Sequence, residues 1–153
     1  MEYRNLGRSG LKVSPLCIGT MMFGGPTNGK TADAIVGSAR DAGVNFIDTA
    51  NGYTRGASEK MDFGLVAKDR DRWVLATKSG NSMGPGPNQS GMGRKWILQA
   101  IDGSLRRLGT DYVDIYYLDI DDGATPLEET IGALGDLIRL GKVRSWGFSH
   151  FPA

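Results

Sequence analysis

Asp48, Lys78, Asp119 and Ser149 stand at or just beyond the C-terminal ends of short apolar runs, about 30 to 40 residues apart, and Tyr53 follows Asp48 by one short loop. Alone, each reads as a solvated loop residue. Recurrence at run after run gives them more weight, because the ends of neighbouring parallel strands converge and can gather side chains that are distant in sequence. Tyrosine, lysine and a carboxylate together have a specific use. A phenol, with an ordinary pKa near 10, donates protons poorly at neutral pH, whereas a neighbouring ammonium stabilises the phenolate and brings donation into the working range. Lys78 is placed to be that ammonium, and Asp48, at salt-bridge distance, would keep it charged against burial. The three would form one proton-donating unit for a carbonyl oxygen.

The elements that must carry these residues follow a regular rhythm. Residues 4–13 suit a hairpin turning at Ser9-Gly10. Apolar runs at 16–19, 44–49, 73–77, 113–118 and 143–148 then alternate with helical stretches at 31–42, 57–68, 95–108 and 127–140. Ser58 is a candidate cap for the second helix, and Gly43, Gly109 and Gly141 are placed to end the others. Strands alternating with helices of this length indicate right-handed β-α-β units and a parallel sheet. A doubly wound sheet would announce a dinucleotide with Gly-x-Gly-x-x-Gly after its first strand, but Gly19-Thr-Met-Met-Phe-Gly-Gly25 stands there. A barrel is preferred. The long polar connection from Ser79 to Gly93 leaves the C-terminal end of a strand, which in a barrel is the active-site face; its composition suits an ordered lid or plain disorder.

With 153 residues, the chain is expected to form a single domain over 1–153. Its 18 lysines and arginines against 17 aspartates and glutamates make no field that suggests nucleic acid or a membrane surface as partner, and a small molecule fits better. The single Cys17 cannot form an internal disulfide, no signal peptide is apparent, and no apolar run reaches the roughly 18 residues that span a bilayer. A cytoplasmic location and no metal site are expected. Gly37, Gly103, Gly132 and Gly135 fall inside the helical stretches, where each costs roughly 0.5–1 kcal/mol relative to alanine. Trp96 and Trp146 read as packing residues.

Asp48-Thr-Ala-Asn-Gly-Tyr53, Gly56-Ala-Ser-Glu59, Ala76-Thr-Lys78, the run Ser104 to Asp114 and Gly141-Lys-Val-Arg144 together resemble the aldo-keto reductase family, with the resemblance running from Met1 to Phe151. It implies a (β/α)8 barrel of the TIM type, of which this chain supplies an N-terminal hairpin and about five βα units. It also implies hydride transfer between NADP(H) and an aldehyde or ketone, with Tyr53 as general acid and Lys78 and Asp48 tuning it. Gly19, Thr20 and Met21 resemble the segment beside the nicotinamide and its ribose, although a tight strand-to-loop turn explains them equally well. Asp48, Ser149 and His150 complete the implied cofactor contacts.

Three features depart from the family. Asp119 stands where the family usually has a histidine that orients and polarises the carbonyl, and an anionic carboxylate there would repel the developing oxyanion. Impaired carbonyl reduction is expected. His150, the single histidine, replaces an asparagine that holds the carboxamide; it keeps one donor, and its bland reading is an exposed side chain. Finally, a complete barrel needs roughly 250 residues. The remaining three strands would bring loops that grip the cofactor's phosphates, so poor NADPH affinity is expected. An open half-barrel, with two unpaired edges, invites a second copy to complete it. A truncated copy, a self-pairing half-barrel and a shortened non-catalytic module all remain open.

Overall fold

A computed structural model of the chain describes residues 1–151. The hairpin forms as expected: β1 (Arg4–Asn5) pairs antiparallel with β2 (Lys12–Val13), Arg4 opposite Val13, and the main chain of Leu6 and Leu11 closes the turn. The five parallel strands are β3 (Ile18–Gly19), β4 (Phe46–Asp48), β5 (Val74–Ser79), β6 (Val113–Leu118) and β7 (Val143–Phe148), and they lie side by side in chain order. Between them run α1 (Gly29–Asp41), α2 (Ala57–Val66), α3 (Arg94–Leu108) and α4 (Leu127–Arg139). Sequential order without a switch point is the order of a barrel wall. The wall is not closed: β3 and β7 are its two edges.

Alternation along the strands decides what faces where. Leu75 of β5 and Tyr116 and Leu118 of β6 join the large core against the helices, with Ile97, Ile101, Leu134 and Leu137. Val74 and Ala76 of β5 and Ile115 of β6 point the other way and pack with Val13, Leu6 and Leu11 of the hairpin region, and with Phe46 and Tyr117. Asp48 follows Phe46 by two residues, Lys78 follows Ala76 and Asp119 follows Tyr117. Period-two geometry therefore delivers all three polar residues to the inner face, one step above the apolar floor.

Several element boundaries differ from the sequence reading. The first parallel strand is only two residues long: ahead of it the Ser14 hydroxyl donates to the Leu16 carbonyl, which takes up an acceptor that pairing would use. The second helix is α-helical only to Val66 and tightens into a 3-10 segment over Ala67–Arg72, where Asp69 leaves helical geometry to bind Arg40 and the Trp73 indole. Ser58 does not cap that helix. Gly56, left-handed at φ 87°, holds the cap position, and Ser58 lies inside the first turn with its hydroxyl buried. Gly43, Gly109 and Gly141 are left-handed at the helix ends as expected.

The connection from Ser79 to Gly93 is tied down. Gly91 donates its N–H to the Gly80 carbonyl, Met83 donates to Gln89, and Met92 is fully buried. A second loop, between β6 and α4, holds it from outside: Asp122 accepts the Met92 N–H at 2.7 Å together with the N–H groups of Ala124 and Thr125 and the Thr125 hydroxyl. Burial would raise the Asp122 carboxyl, but these donors outweigh it and hold it well below the ordinary carboxylate range. Among the described residues no helix is long and apolar enough to cross a membrane.

Candidate active site

Asp48 closes β4, Lys78 stands near the end of β5, and Tyr53 begins a 3-10 turn five residues after Asp48. All three meet. Lys78 Nζ donates to Asp48 Oδ2 at 2.5 Å, to the Tyr53 hydroxyl oxygen at 2.9 Å and to the Thr49 carbonyl at 3.0 Å. An ammonium has three protons, and here each has an acceptor. Lys78 is thus fixed and saturated, so its influence on anything above it is electrostatic. The Tyr53 oxygen accepts from Lys78, which leaves its own proton free to point outward. The ammonium also lies 4.6 Å from the Tyr53 ring centroid.

Burial alone would strip Lys78 of its charge, but the hydrogen bond and charge of Asp48, and the Tyr53 contact, outweigh it and shift its pKa upward. Asp48 is pushed upward by its own burial, against the pull of Lys78, and the charge of Asp119 adds to the push. The ion pair survives because each partner is the other's compensation.

Tyr53 is held by strained backbone. Thr54 (φ 48°), Arg55 (φ 52°) and Gly56 (φ 87°) are three consecutive left-handed residues, two of which carry side chains that disfavour that region. The Thr54 hydroxyl pins the turn by donating to the Phe23 carbonyl at 3.2 Å.

The other expected site residues are placed as follows. Asp119 stands past the end of β6 with its N–H on the Ser79 carbonyl, and its carboxylate accepts from Asn81 Nδ2 at 2.7 Å. Ser149 donates its N–H to the Leu118 carbonyl and, with Gly19, Asp48, Lys78, Tyr117 and Phe148, lines a trough of about 460 Å³ along the inner face. Among the described residues, and apart from its own chain neighbours, nothing lies within 4 Å of where a Cβ on Gly19 would stand. Met21 is exposed, and His150 is exposed with a left-handed backbone. Thr20 is different. It is fully buried, and its hydroxyl lies among Ser58, Asp62 and the Asp48 carbonyl rather than at the surface.

Beneath the rim lies a layer of polar residues that sequence reasoning did not find. Glu59 has no exposed surface and accepts from Arg107 Nε at 2.6 Å and from the Thr77 hydroxyl at 2.6 Å. Since Thr77 precedes Lys78, this cluster anchors β5 just where the ammonium departs. Read as an amphipathic helix, residues 57–68 put Glu59 and Asp62 in water; the structure buries both. The signals present were the Gly56-Ala-Ser-Glu59 motif, to which no role was given, and the short spacing of Ser58, Glu59 and Asp62, which places them on one helical face.

A sequence profile described as the aldo/keto reductase family matches residues 15–153. The chain is 42% identical over 158 residues to a protein named probable voltage-gated potassium channel subunit beta from Oryza sativa subsp. japonica, covering 100% of this chain and 48% of the relative. It is 38% identical over 158 residues to L-glyceraldehyde 3-phosphate reductase of Escherichia coli strain K12, covering 99% of this chain and 46% of the relative. An uncharacterized oxidoreductase, YrpG of Bacillus subtilis strain 168, is 40% identical over 162 residues, covering 99% and 50% respectively. The chain spans about half the length of the curated relatives it matches.

Proposed function

Because the chain belongs to the aldo/keto reductase family, we propose that its rim serves NADP(H)-dependent reduction of small aldehydes or ketones, with Tyr53 as proton donor. The observation that carries this is the Lys78 ammonium bridging the Asp48 carboxylate and the Tyr53 oxygen. The trough fits a flat ring laid against Gly19, where a Cβ-free surface is open, and against Ser149. Gly19, Met21, Asp48, Ser149 and His150 would hold the cofactor there, and Thr20 would act through its backbone. When bound, the nicotinamide supplies the hydride to the carbonyl carbon.

This chain's residues do the rest. Tyr53 gives its free proton to the carbonyl oxygen, and the Lys78 ammonium stabilises the phenolate that remains. Asp48 keeps that ammonium charged in its buried place. Asp119 opposes the reaction, since a carboxylate near the carbonyl oxygen raises the energy of the developing negative charge. The test is steady-state reduction of an aromatic aldehyde with NADPH. Tyr53→Phe should lower turnover about 10²- to 10⁴-fold, and Asp119→His should raise it. Unchanged turnover in Tyr53→Phe would refute the assignment.

A second reading is a non-catalytic module in which two copies associate across the open wall. Asp119 supports it, as do the exposed Trp146 and Phe148 on edge strand β7 and the relatives that are named as channel subunits. Gel filtration beside an NADPH titration followed by tryptophan fluorescence separates the two: a cofactor-blind dimer favours the module.

A further inference from the structure

Asp62 of α2 is fully buried with hydroxyls, not a cation, around it. Its Oδ2 lies 3.1 Å from Thr20 Oγ1 and 3.5 Å from Ser58 Oγ, while its Oδ1 is buried without a partner. Thr20, just past β3, and Thr49, just past β4, face it from the sheet, and Ser58 and Glu59 face it from its own helix. The Glu59 carboxylate is taken up by Arg107 of α3 and the Thr77 hydroxyl of β5, and Asp48 of β4 is taken up by Lys78. Among the described residues no basic group therefore compensates Asp62. Burial, with the charge of Glu59, pushes its carboxyl up to about 7 against the opposing influence of the Thr49, Thr20 and Ser58 hydroxyls.

The hydroxyl of Thr20 has one proton and several acceptors. Asp62 Oδ2 is at 3.1 Å, the Asp48 main-chain carbonyl at 3.3 Å, and Ser58 Oγ at 2.8 Å competes. Ser58 in turn donates to the Thr20 carbonyl at 2.8 Å and has the Thr49 hydroxyl at 3.0 Å. An ionised carboxylate only accepts, so it takes the Thr20 proton; a carboxylic acid donates its own proton to Thr20 Oγ1 and releases the Thr20 proton toward Asp48. The Asp48 carbonyl already accepts the Thr20 N–H at 3.0 Å. With the Ser58 proton committed to the Thr20 carbonyl, Ser58 Oγ shares the released Thr20 proton with the Asp48 carbonyl, which thus gains part of a second donor in the acid state and has only the Thr20 N–H in the carboxylate state. The same residue's side chain anchors Lys78, and the next carbonyl, that of Thr49, accepts from Lys78 Nζ.

We propose that Asp62 is a positioning residue for the rim: the carboxylate claims the Thr20 hydroxyl proton, and the carboxylic acid returns it to the Asp48 main-chain carbonyl. The charge state of a residue beneath the sheet is thereby passed to the peptide that carries the Asp48–Lys78–Tyr53 unit. This deepens the reductase reading and rests on it for the use of the rim, but its test needs neither cofactor nor turnover.

Isotope-labelled full-length chain, in a His150→Gln background so that imidazole titration does not overlap, is followed by NMR from about pH 5 to about pH 9. The Asp48 carbonyl carbon and the Thr49 amide nitrogen should move in one step near pH 7. Asp62→Asn should abolish that step. Thr20→Ser should keep it, whereas Thr20→Val should remove it at Asp48 while the Asp62 carboxyl carbon still titrates. A parent spectrum without the step, or a step that persists in Asp62→Asn or Thr20→Val, overturns the proposal. Should Asp62→Asn not fold, the parent and the Thr20 pair decide. Loss of this inference leaves carbonyl reduction standing, and a chain without turnover still reports on Asp62.

Discussion

Glu59 and Arg107 show how much of this rim is decided by single pairs below it. Glu59 has no exposed surface, and among the described residues Arg107 is its one cationic partner. Arg107→Ala would leave a buried carboxylate uncompensated, at a cost of roughly 3–5 kcal/mol, and chemical denaturation should show it; a loss below about 1 kcal/mol would refute the dependence of Glu59 on Arg107. Asp62 gives a prediction of different sign. Its carboxyl sits near 7 in the folded chain but near 3.9 in the unfolded one. Between about pH 4 and pH 7 the folded state holds a proton that the unfolded state has lost, so its contribution to stability is complete below that window and disappears as pH rises through it. Asp62→Asn should flatten the slope and be more stable than the parent at about pH 8 in thermal melts. Asp48 and Lys78 were legible because chemistry-bearing types recur at strand ends, and Tyr53 because a phenol one short loop beyond such an end suits the same proton-donating unit. The buried roles of Glu59 and Asp62 were not, since polar residues buried on a helix face break the periodicity by which helices are read, and Thr20, picked out as a cofactor contact, has its hydroxyl buried beneath the rim instead.

Helices and strands follow the sequence where glycine punctuates them. The left-handed Gly109 ends α3 with Phe63 so close that a Cβ would stand 2.3 Å from its ring, which is why that position cannot be replaced cheaply. Inside α1 and α4 the opposite holds. Apart from the local helix backbone, no described atom lies within 4 Å of the Cβ positions at Gly37 and Gly132, so Gly37→Ala and Gly132→Ala should each stabilise by roughly 0.5–1 kcal/mol, read as a shifted urea midpoint with unchanged slope. A destabilised double variant would show that these helices need the flexibility. The turn after Tyr53 is the element that sequence could not supply. Thr54 and Arg55 have no intrinsic reason to be left-handed, and only the packing around Gly56 and the Phe23 carbonyl imposes it. The shortness of β3 has the same character: an apolar run at 16–19 reads as strand, but the Ser14 hydroxyl takes up the Leu16 carbonyl, an acceptor that pairing would use.

At the scale of the molecule, an open wall of five strands leaves apolar surface that its own helices do not cover. Leu127 and Ile131 of α4, with Trp146 and Phe148 of β7 and Phe151, line a cleft of about 240 Å³ beside the edge strand. Self-association that grows with concentration is expected in sedimentation velocity, and Ile131→Lys with Phe148→Lys should return the chain to monomer. A monomeric parent at high concentration would rule this out. The alternation of strands and helices made the barrel wall legible from sequence, whereas the use of its edges depends on surfaces that no local pattern describes. The carboxylate of Asp122 gives the molecule a further property. By clasping the Met92 amide from the next loop along, it welds the two connections above β5 and β6 into a single fixed jaw. On the other flank, past the end of β3, the side chains of Met21 and Met22 are exposed and have no such clasp among the described residues.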